Sequence, residues 1–268
     1  MPLAYYARSA TAEFWSEHWG GQSLATLLEV ARRSPLTDLI EAHLPPRGVV
    51  LEAGCGLGQY VLLLRERGRA AVGVDWSVDA LRQAARVGGP LAAMDLRGLA
   101  VKPGAVHAYL SLGVVEHDPE GPAAIVAEAA RVLAPGGTLL LSVPYWNGAR
   151  RLGTPLIARA SRRVREAGGQ FYQFAFTSKE VRAFLEREGF EVRDFHPYDP
   201  ARLLRSALRR LRGSGGRAPR DAAIAPGGAP ERHPSAMRGL ARAVLYSGPA
   251  LRLFGHMILA VAVKRVAP

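Results

Sequence analysis

The 268-residue chain has one cysteine, Cys55. A single thiol excludes an intramolecular disulfide framework and a cysteine-rich zinc site, and a reducing compartment is the simplest setting for it. No N-terminal basic-plus-apolar segment of the signal type is present. The longest apolar run near the C-terminus, MILAVAV (257–263), is far below the roughly 20 residues that a bilayer span needs. The expectation is a cytoplasmic protein, soluble or associated with a membrane surface. Acidic residues are also scarce, but only at one end. Residues 200–268 hold 13 Lys and Arg against 2 Asp and Glu, whereas residues 1–199 hold 22 against 21. The net charge of +12 therefore belongs to one C-terminal region, and the body of the chain is close to neutral. With 49% hydrophobic residues, the chain can bury a full core.

From Gly48 onward, short apolar or β-branched runs alternate with helical patterns, as in a parallel sheet with crossover helices. Strands are expected at 48–54, 70–75, 90–95, 106–112 and 137–144, with helices near 58–67, 78–87 and 121–133. APGG (134–137) ends the last of these helices and turns the chain into the next strand. FEVRDFHPY (190–198) and HMILAVAVK (256–264) read as two further strands. Between them lies a stretch rich in Gly, Pro and Ala (213–235), expected to be a mobile loop. Basic amphipathic segments flank it at 200–212 and 236–245. Upstream of Gly48 the patterns are helical. The organisation expected is an N-terminal helical cover (1–47), a main domain (48–198 and 255–268) and a basic insertion (199–254).

The stretch VVLEAGCGLGQY (49–60) leaves the first of these strands through three glycines and opens a helix. Such a loop presents backbone N–H groups at the carboxyl edge of a parallel sheet, where open α/β folds bind ligands. A dinucleotide fingerprint requires glycine at position 59, where Gln59 stands, and the third glycine arrives one residue early at Gly58. Glu52, two residues before the first glycine, sets a carboxylate beside the loop and disfavours a pyrophosphate. A cationic ligand without phosphates fits better.

LEAGCGLGQY is similar to the E/D-x-G-x-G-x-G motif of class I S-adenosylmethionine-dependent methyltransferases, and later segments resemble that family in order. Asp75 ends the second strand in VGVDWS, where the family's acid grips the ribose hydroxyls. Asp95 in AAMDL resembles the acid that contacts the adenine amino group. SLGVVEH (111–117) and EAARVLAPGGTLLLSVPYWN (128–147) resemble the passages around strands four and five, and 171–192 resembles the helix and sixth strand of the type 11 branch. The resemblance implies a Rossmann-like, doubly wound α/β sheet of seven strands in the order 3-2-1-4-5-7-6, the last antiparallel. It implies S-adenosyl-L-methionine as cofactor, held by Glu52, Gly54, Cys55, Gly56, Gly58, Asp75, Trp76, Asp95, Leu96, Ser111, Leu112 and Gly113. Singly, these residues have ordinary readings. Gly-rich turns also serve close packing, Asp75 could be a helix N-cap, and Cys55 a small residue between glycines. Their joint order and spacing carry the resemblance.

Methyl transfer needs alignment and exclusion of water. A cover over the strand ends is therefore expected from the N-terminal aromatics, from the stretch after strand five and from FYQF (171–174). Tyr6, Trp15, Trp19, Tyr145, Trp146, Asn147 and Tyr172 are the candidate substrate pocket, although aromatics at helical spacing more often only pack a core. His117 is the candidate general base, with the alternative that it merely lines the cofactor. The ubiquinone-type O-methyltransferases resemble this stretch but carry a further acid where this chain has Gly113, so no metal is expected beside Glu116 and His117. The expected activity is methylation of a small-molecule acceptor at oxygen, nitrogen or carbon, lipid- or quinone-like among the options. The alternatives are a non-catalytic protein on the same scaffold, and a methyltransferase acting on nucleic acid or protein. A nucleotide-linked oxidoreductase is disfavoured by Gln59 and Glu52. For the basic region, a solvated loop stands beside docking to an anionic membrane through 200–212 and 236–245, to which the arginines of 158–167 would add. Nucleic acid ranks third, since the basic segments lack interleaved aromatics.

Overall fold

A computed structural model describes residues 2–85, 88–202 and 243–266. The expected mobile stretch 213–235 and most of both flanking amphipathic segments lie outside the described residues. The elements run β1 (Leu3–Ala7), α1 (Ala12–Gly20), α2 (Leu24–Arg32), α3 (Pro35–His43), β2 (Val49–Ala53), α4 (Gln59–Glu66), β3 (Ala70–Asp75), α5 (Val78–Ala85) and β4 (Leu91–Ala93). They continue with β5 (Val106–Leu112), α6 (Ala123–Val132), β6 (Leu133–Pro144), α7 (Gly148–Leu152), α8 (Thr154–Glu166), β7 (Gln170–Ala175), α9 (Ser178–Arg187), β8 (Phe190–Tyr198), α10 (Gly248–Phe254) and β9 (Met257–Lys264).

Seven strands form one sheet in the order β4-β3-β2-β5-β6-β9-β8, which is the expected 3-2-1-4-5-7-6. β2, β3, β4, β5 and β6 are mutually parallel, and β9 runs antiparallel between β6 and β8. The central strands are continuous apolar runs because helices cover both faces. On one face α6 and α9 pack Val126, Ala129, Phe184 and Leu185 against Leu139, Leu141 and Tyr109. On the other, α3 and α4 pack Ile40, Tyr60 and Leu64 against Val50, Ala108 and Leu140. Local signals set the helix ends. Ser34 accepts from Leu36 N–H before Pro35 opens α3, and Thr177 and Glu180 form a capping box at α9. APGG enters β6 as an irregularity between the pairs Val106↔Leu133 and Ala108↔Thr138, with Gly136 at φ 75°.

The N-terminal region differs from the all-helical expectation. β1 pairs antiparallel with β7, Leu3 opposite Ala175, in a separate two-stranded sheet. FYQF is therefore a strand, and its partner lies some 165 residues away, a pairing that no local pattern encodes. A third cluster, Phe14, Trp15, Trp19, Leu24, Leu27, Leu57, Ala80 and Tyr172, seats α1 and α2 over the glycine loop. At the other end, Tyr198 pairs with Met257, and His256 N–H donates to Tyr198 O at 2.9 Å. The chain thus leaves the sheet after β8 and re-enters it beside the point of departure.

Candidate active site

β2 delivers the chain into a loop whose glycines, Gly54, Gly56 and Gly58, all take left-handed φ values of 80°, 54° and 74°. The loop is tied to the end of β3. Gly54 and Cys55 N–H donate to Val74 O at 2.8 and 3.0 Å, and Gly56 N–H donates to Asp75 Oδ2 at 2.8 Å. A Cβ on Gly54 would lie 2.5 Å from Val114 Cγ2, and one on Gly56 2.4 Å from Trp19 Cζ2. Backbone conformation and close approach both demand glycine here.

Glu52 does not face the ligand side of the loop, contrary to the charge argument made from the sequence. It is buried, and its Oε2 accepts from Val61 N–H at 3.2 Å, an otherwise orphaned donor in the first turn of α4. Burial pushes its carboxyl up to about 8, so it is neutral at pH 7 and caps a helix. Cys55 is buried too, its thiol pushed well up by burial, which fits a small packing residue.

Asp75 is held by two backbone donors, Ser77 N–H on Oδ1 at 2.9 Å and Gly56 N–H on Oδ2 at 2.8 Å. Burial raises its pKa, and these hydrogen bonds act against the rise. The next residue, Trp76, is 45% exposed, an unusual position for an indole. After β4, Asp95 is gripped by Arg97, whose Nη2 donates to Oδ2 at 2.7 Å and whose backbone N–H donates to Oδ1 at 2.9 Å. The guanidinium holds the Asp95 carboxyl below its ordinary range.

Beyond β5, Gly113 (φ 77°) leads into a 3-10 turn, Val115–His117. His117 Nδ1 donates to Tyr172 O at 2.8 Å, a carbonyl that can only accept, which leaves the lone pair on Nε2. Its ring meets Trp15 and Tyr172 edge-on, each with centroids at 5.0 Å. Burial holds His117 down to about 4, so the imidazole is neutral. Glu116 beside it is buried, pushed up to about 8, and its Oε2 has no hydrogen-bond partner. Glu116 Oε1 lies 3.9 Å from His117 Nε2.

These pieces meet at one cleft on the carboxyl edge of the sheet, enclosing about 990 Å³ with solvent at its mouth included. Of the residues expected from the sequence, Gly54, Asp75, Trp76, Asp95, Leu96, Gly113, His117, Trp15 and Trp19 line it. Ser9, Ala10 and Arg97 also line it and were not foreseen, and so does Phe171 from the FYQF stretch expected to cover the strand ends. Of the three unforeseen residues only Arg97 carried a signal, a cation two residues after Asp95.

The other expected residues lie off the walls. Ser111 and Leu112 are buried in β5. Tyr6 packs edge-on against Phe171, with Arg165 over its ring. Tyr145 bridges to Phe176, and Trp146 Nε1 donates to Thr154 Oγ1 at 3.2 Å. Asn147 is fully buried and works as a cap, its Oδ1 accepting from Arg150 N–H and its Nδ2 donating to Gly255 O at 2.7 Å. Tyr172 acts through its carbonyl, which orients His117.

Residues 51–141 match the family described as a methyltransferase domain, type 11. A curated protein from Streptomyces fradiae, an uncharacterised 37.1 kDa protein in transposon Tn4556, is 32% identical over 124 residues, 43% of this chain and 35% of that protein. The match thus spans about a third of the relative's length. Among solved structures, a SAM-dependent methyltransferase from Archaeoglobus fulgidus is 16% identical with TM-score 0.57, covering 94% of this chain and 99% of that one. The 1,6-didemethyltoxoflavin-N1-methyltransferase of Burkholderia thailandensis, solved with its substrate and S-adenosylhomocysteine, is 18% identical with TM-score 0.56, covering 95% of this chain and 86% of that one. At these identities the solved structures share the fold.

Proposed function

Residues 51–141 carry a type 11 methyltransferase domain, whose cofactor is S-adenosylmethionine, and on that premise we propose that the protein methylates a small, largely apolar acceptor, with His117 as general base. One observation carries the reading. Asp75, Trp76, Asp95 and His117, which follow three different strands, line a single cleft. The residues present fit the cofactor. A buried carboxylate held by two N–H donors suits a ribose diol, and the half-exposed indole of Trp76 with Leu96 nearby suits an adenine face. Gly54 and the glycine loop would take the amino-acid end, where a Cβ on Gly54 or Gly56 would collide with Val114 or Trp19.

When bound, the cofactor supplies an electrophilic methyl on a sulfonium. The chain's own residues align the acceptor and exclude water. Trp15, Trp19 and Phe171 give the wall an aromatic lining, and this supports an apolar acceptor in preference to a sugar or a polymer. The proton released as the acceptor atom gains its methyl passes to His117 Nε2. The Tyr172 carbonyl fixes the tautomer that keeps this nitrogen free to receive it.

Calorimetry with S-adenosylhomocysteine tests the cofactor half. Binding is expected in the unaltered protein and at least tenfold weaker in Asp75→Ala; equal, undetectable binding in both would sink the reading. Screening quinols, phenols and amines with methyl-labelled donor tests the rest. His117→Asn should lower turnover by roughly 10²-fold or more while leaving cofactor affinity unchanged.

A further inference from the structure

Outside α7–α8, most described arginines of the body have carboxylate partners, with Arg47, Arg65, Arg69 and Arg187 as the exceptions. Arg8 pairs with Glu17, Arg32 with Glu66, Arg67 with Glu41, Arg82 with Asp79, and Arg182 with Glu186. The α7–α8 segment departs from this. Residues 148–166 contain six arginines and a single acidic residue, Glu166 at the last position of α8. Arg151, Arg159, Arg162 and Arg163 are all exposed, and no carboxylate among the described residues pairs with them.

The same segment breaks a second regularity. α8 has 13 residues and buries none of them. Leu152 is 83% exposed and Leu156 75%, the two most exposed large apolar side chains among the described residues. Leu156, Arg159 and Arg163 follow helical spacing, so leucine and arginine share one stripe. Ile157 and Ser161, a quarter turn away, are only half-exposed, and α8 rests on β1. α10, which contacts α7, adds Leu253 and Phe254, 38% and 39% exposed, with Arg252 and no acid.

We propose that the α7–α8 surface, extended by α10, docks on an anionic lipid bilayer, its exposed leucines entering the headgroup region while its unpaired arginines meet lipid phosphates and carboxylates. Charge complementarity selects this occupant. Arginines without partners call for external anions, and protruding leucines in the same stripe call for an apolar layer just beneath them, a pairing that a lipid surface supplies. The leucines also disfavour a nucleic acid, which would use the charge and leave them in water. The face adjoins the cleft cover. α8 packs on β1, Arg165 lies 5.7 Å over the Tyr6 ring, and the chain runs on from β1 to Ser9 and Ala10 on the cleft wall. Docking would bring that cover to the bilayer. The proposal does not depend on the methyl-transfer reading.

The test is flotation of the full chain with phosphatidylcholine vesicles, with and without about a third phosphatidylglycerol, at low and high salt. Binding is expected on the anionic vesicles only, weakening with salt. At about fivefold per arginine near the surface, the double variant Arg159→Glu/Arg163→Glu should bind at least 25-fold more weakly. Leu152→Ser/Leu156→Ser should lose at least tenfold. Both variants should melt with the unaltered protein, since these side chains are exposed. No binding to anionic vesicles would overturn the proposal, as would binding that neither double variant weakens. A loss confined to the arginine variant, with single-stranded DNA competing as well as vesicles, would make the face a polyanion site and equally overturn it.

Discussion

Glu52 and Glu116 are carboxyls taken out of water with little given in exchange, one N–H for the first and an unpartnered Oε2 for the second. Both are pushed up to about 8 from an ordinary 4.5. The folded protein therefore holds protons that the unfolded chain releases above pH 4.5. The stability this confers is complete below 4.5 and is lost as pH rises towards 8, at up to about 1.4 kcal/mol per pH unit for each carboxyl. His117 acts in the opposite sense, held down to about 4 from 6.5 by burial, so its contribution rises with pH between those values and is flat above 6.5. Between pH 6.5 and 8 the carboxyls act alone, and the melting temperature is expected to fall across that window. Glu52→Gln and Glu116→Gln should each flatten the fall; a profile that rises from 6.5 to 8 in the unaltered protein would refute the assignment. At this scale the sequence was legible where a residue's position follows from its place on a strand end, as for Asp75 and Asp95, which both line the cleft. It was misleading for Glu52, because whether that side chain turns to the ligand or to the Val61 N–H depends on where α4 starts in space.

The element that most shapes the cleft is α1. Phe14, Trp15 and Trp19 read from the sequence either as core or as pocket, and the structure makes all three core. They are buried in one cluster, while the two indoles also line the cleft. Helical spacing predicts a shared face but cannot say that the face lands on Gly56, since that contact crosses more than 30 residues. The landing is tight enough to test. Alanine at Gly56 would meet Trp19 Cζ2 at 2.4 Å as well as the strain of a φ of 54°. Gly68 supplies the control, with φ 80° and nothing within 4 Å of an added Cβ. Gly68→Ala should cost about 1 kcal/mol of stability and leave ligand binding alone. Gly56→Ala should displace Trp19, change the tryptophan emission spectrum and weaken S-adenosylhomocysteine binding at least tenfold by calorimetry. Equal affinity in the two variants would show that α1 does not shape the site.

At the scale of the whole molecule, the strands of the large sheet could be anticipated because each is a local apolar run, and their order because the motifs resemble a family that has it. The β1–β7 sheet could not, since its two short strands lie some 165 residues apart and are held by each other, by α8 and by the Phe14–Trp15 cluster, none of which is a local pattern. The basic insertion is the remaining question, and its attachment suggests an experiment. Tyr198 pairs with Met257 and accepts from His256 N–H, so the sheet is closed on both sides of the excursion by β8 and β9 themselves. Asn147 and Arg150 fasten the returning chain at Gly255 and His256, with hydrogen bonds of 2.7 and 3.1 Å. None of these anchors falls within 203–242. Replacing those 40 residues by a 12-residue Gly-Ser linker removes nine arginines and two acids and lowers the net charge from +12 to +5. Shortening the connection should stabilise the fold by about 1 kcal/mol through loop closure alone. The expected result is a melting temperature no lower than that of the full chain and S-adenosylhomocysteine affinity within about twofold of it. Loss of either would mean that the segment belongs to the ligand-binding body, and that the division drawn along the chain by charge is not a division of the folded protein.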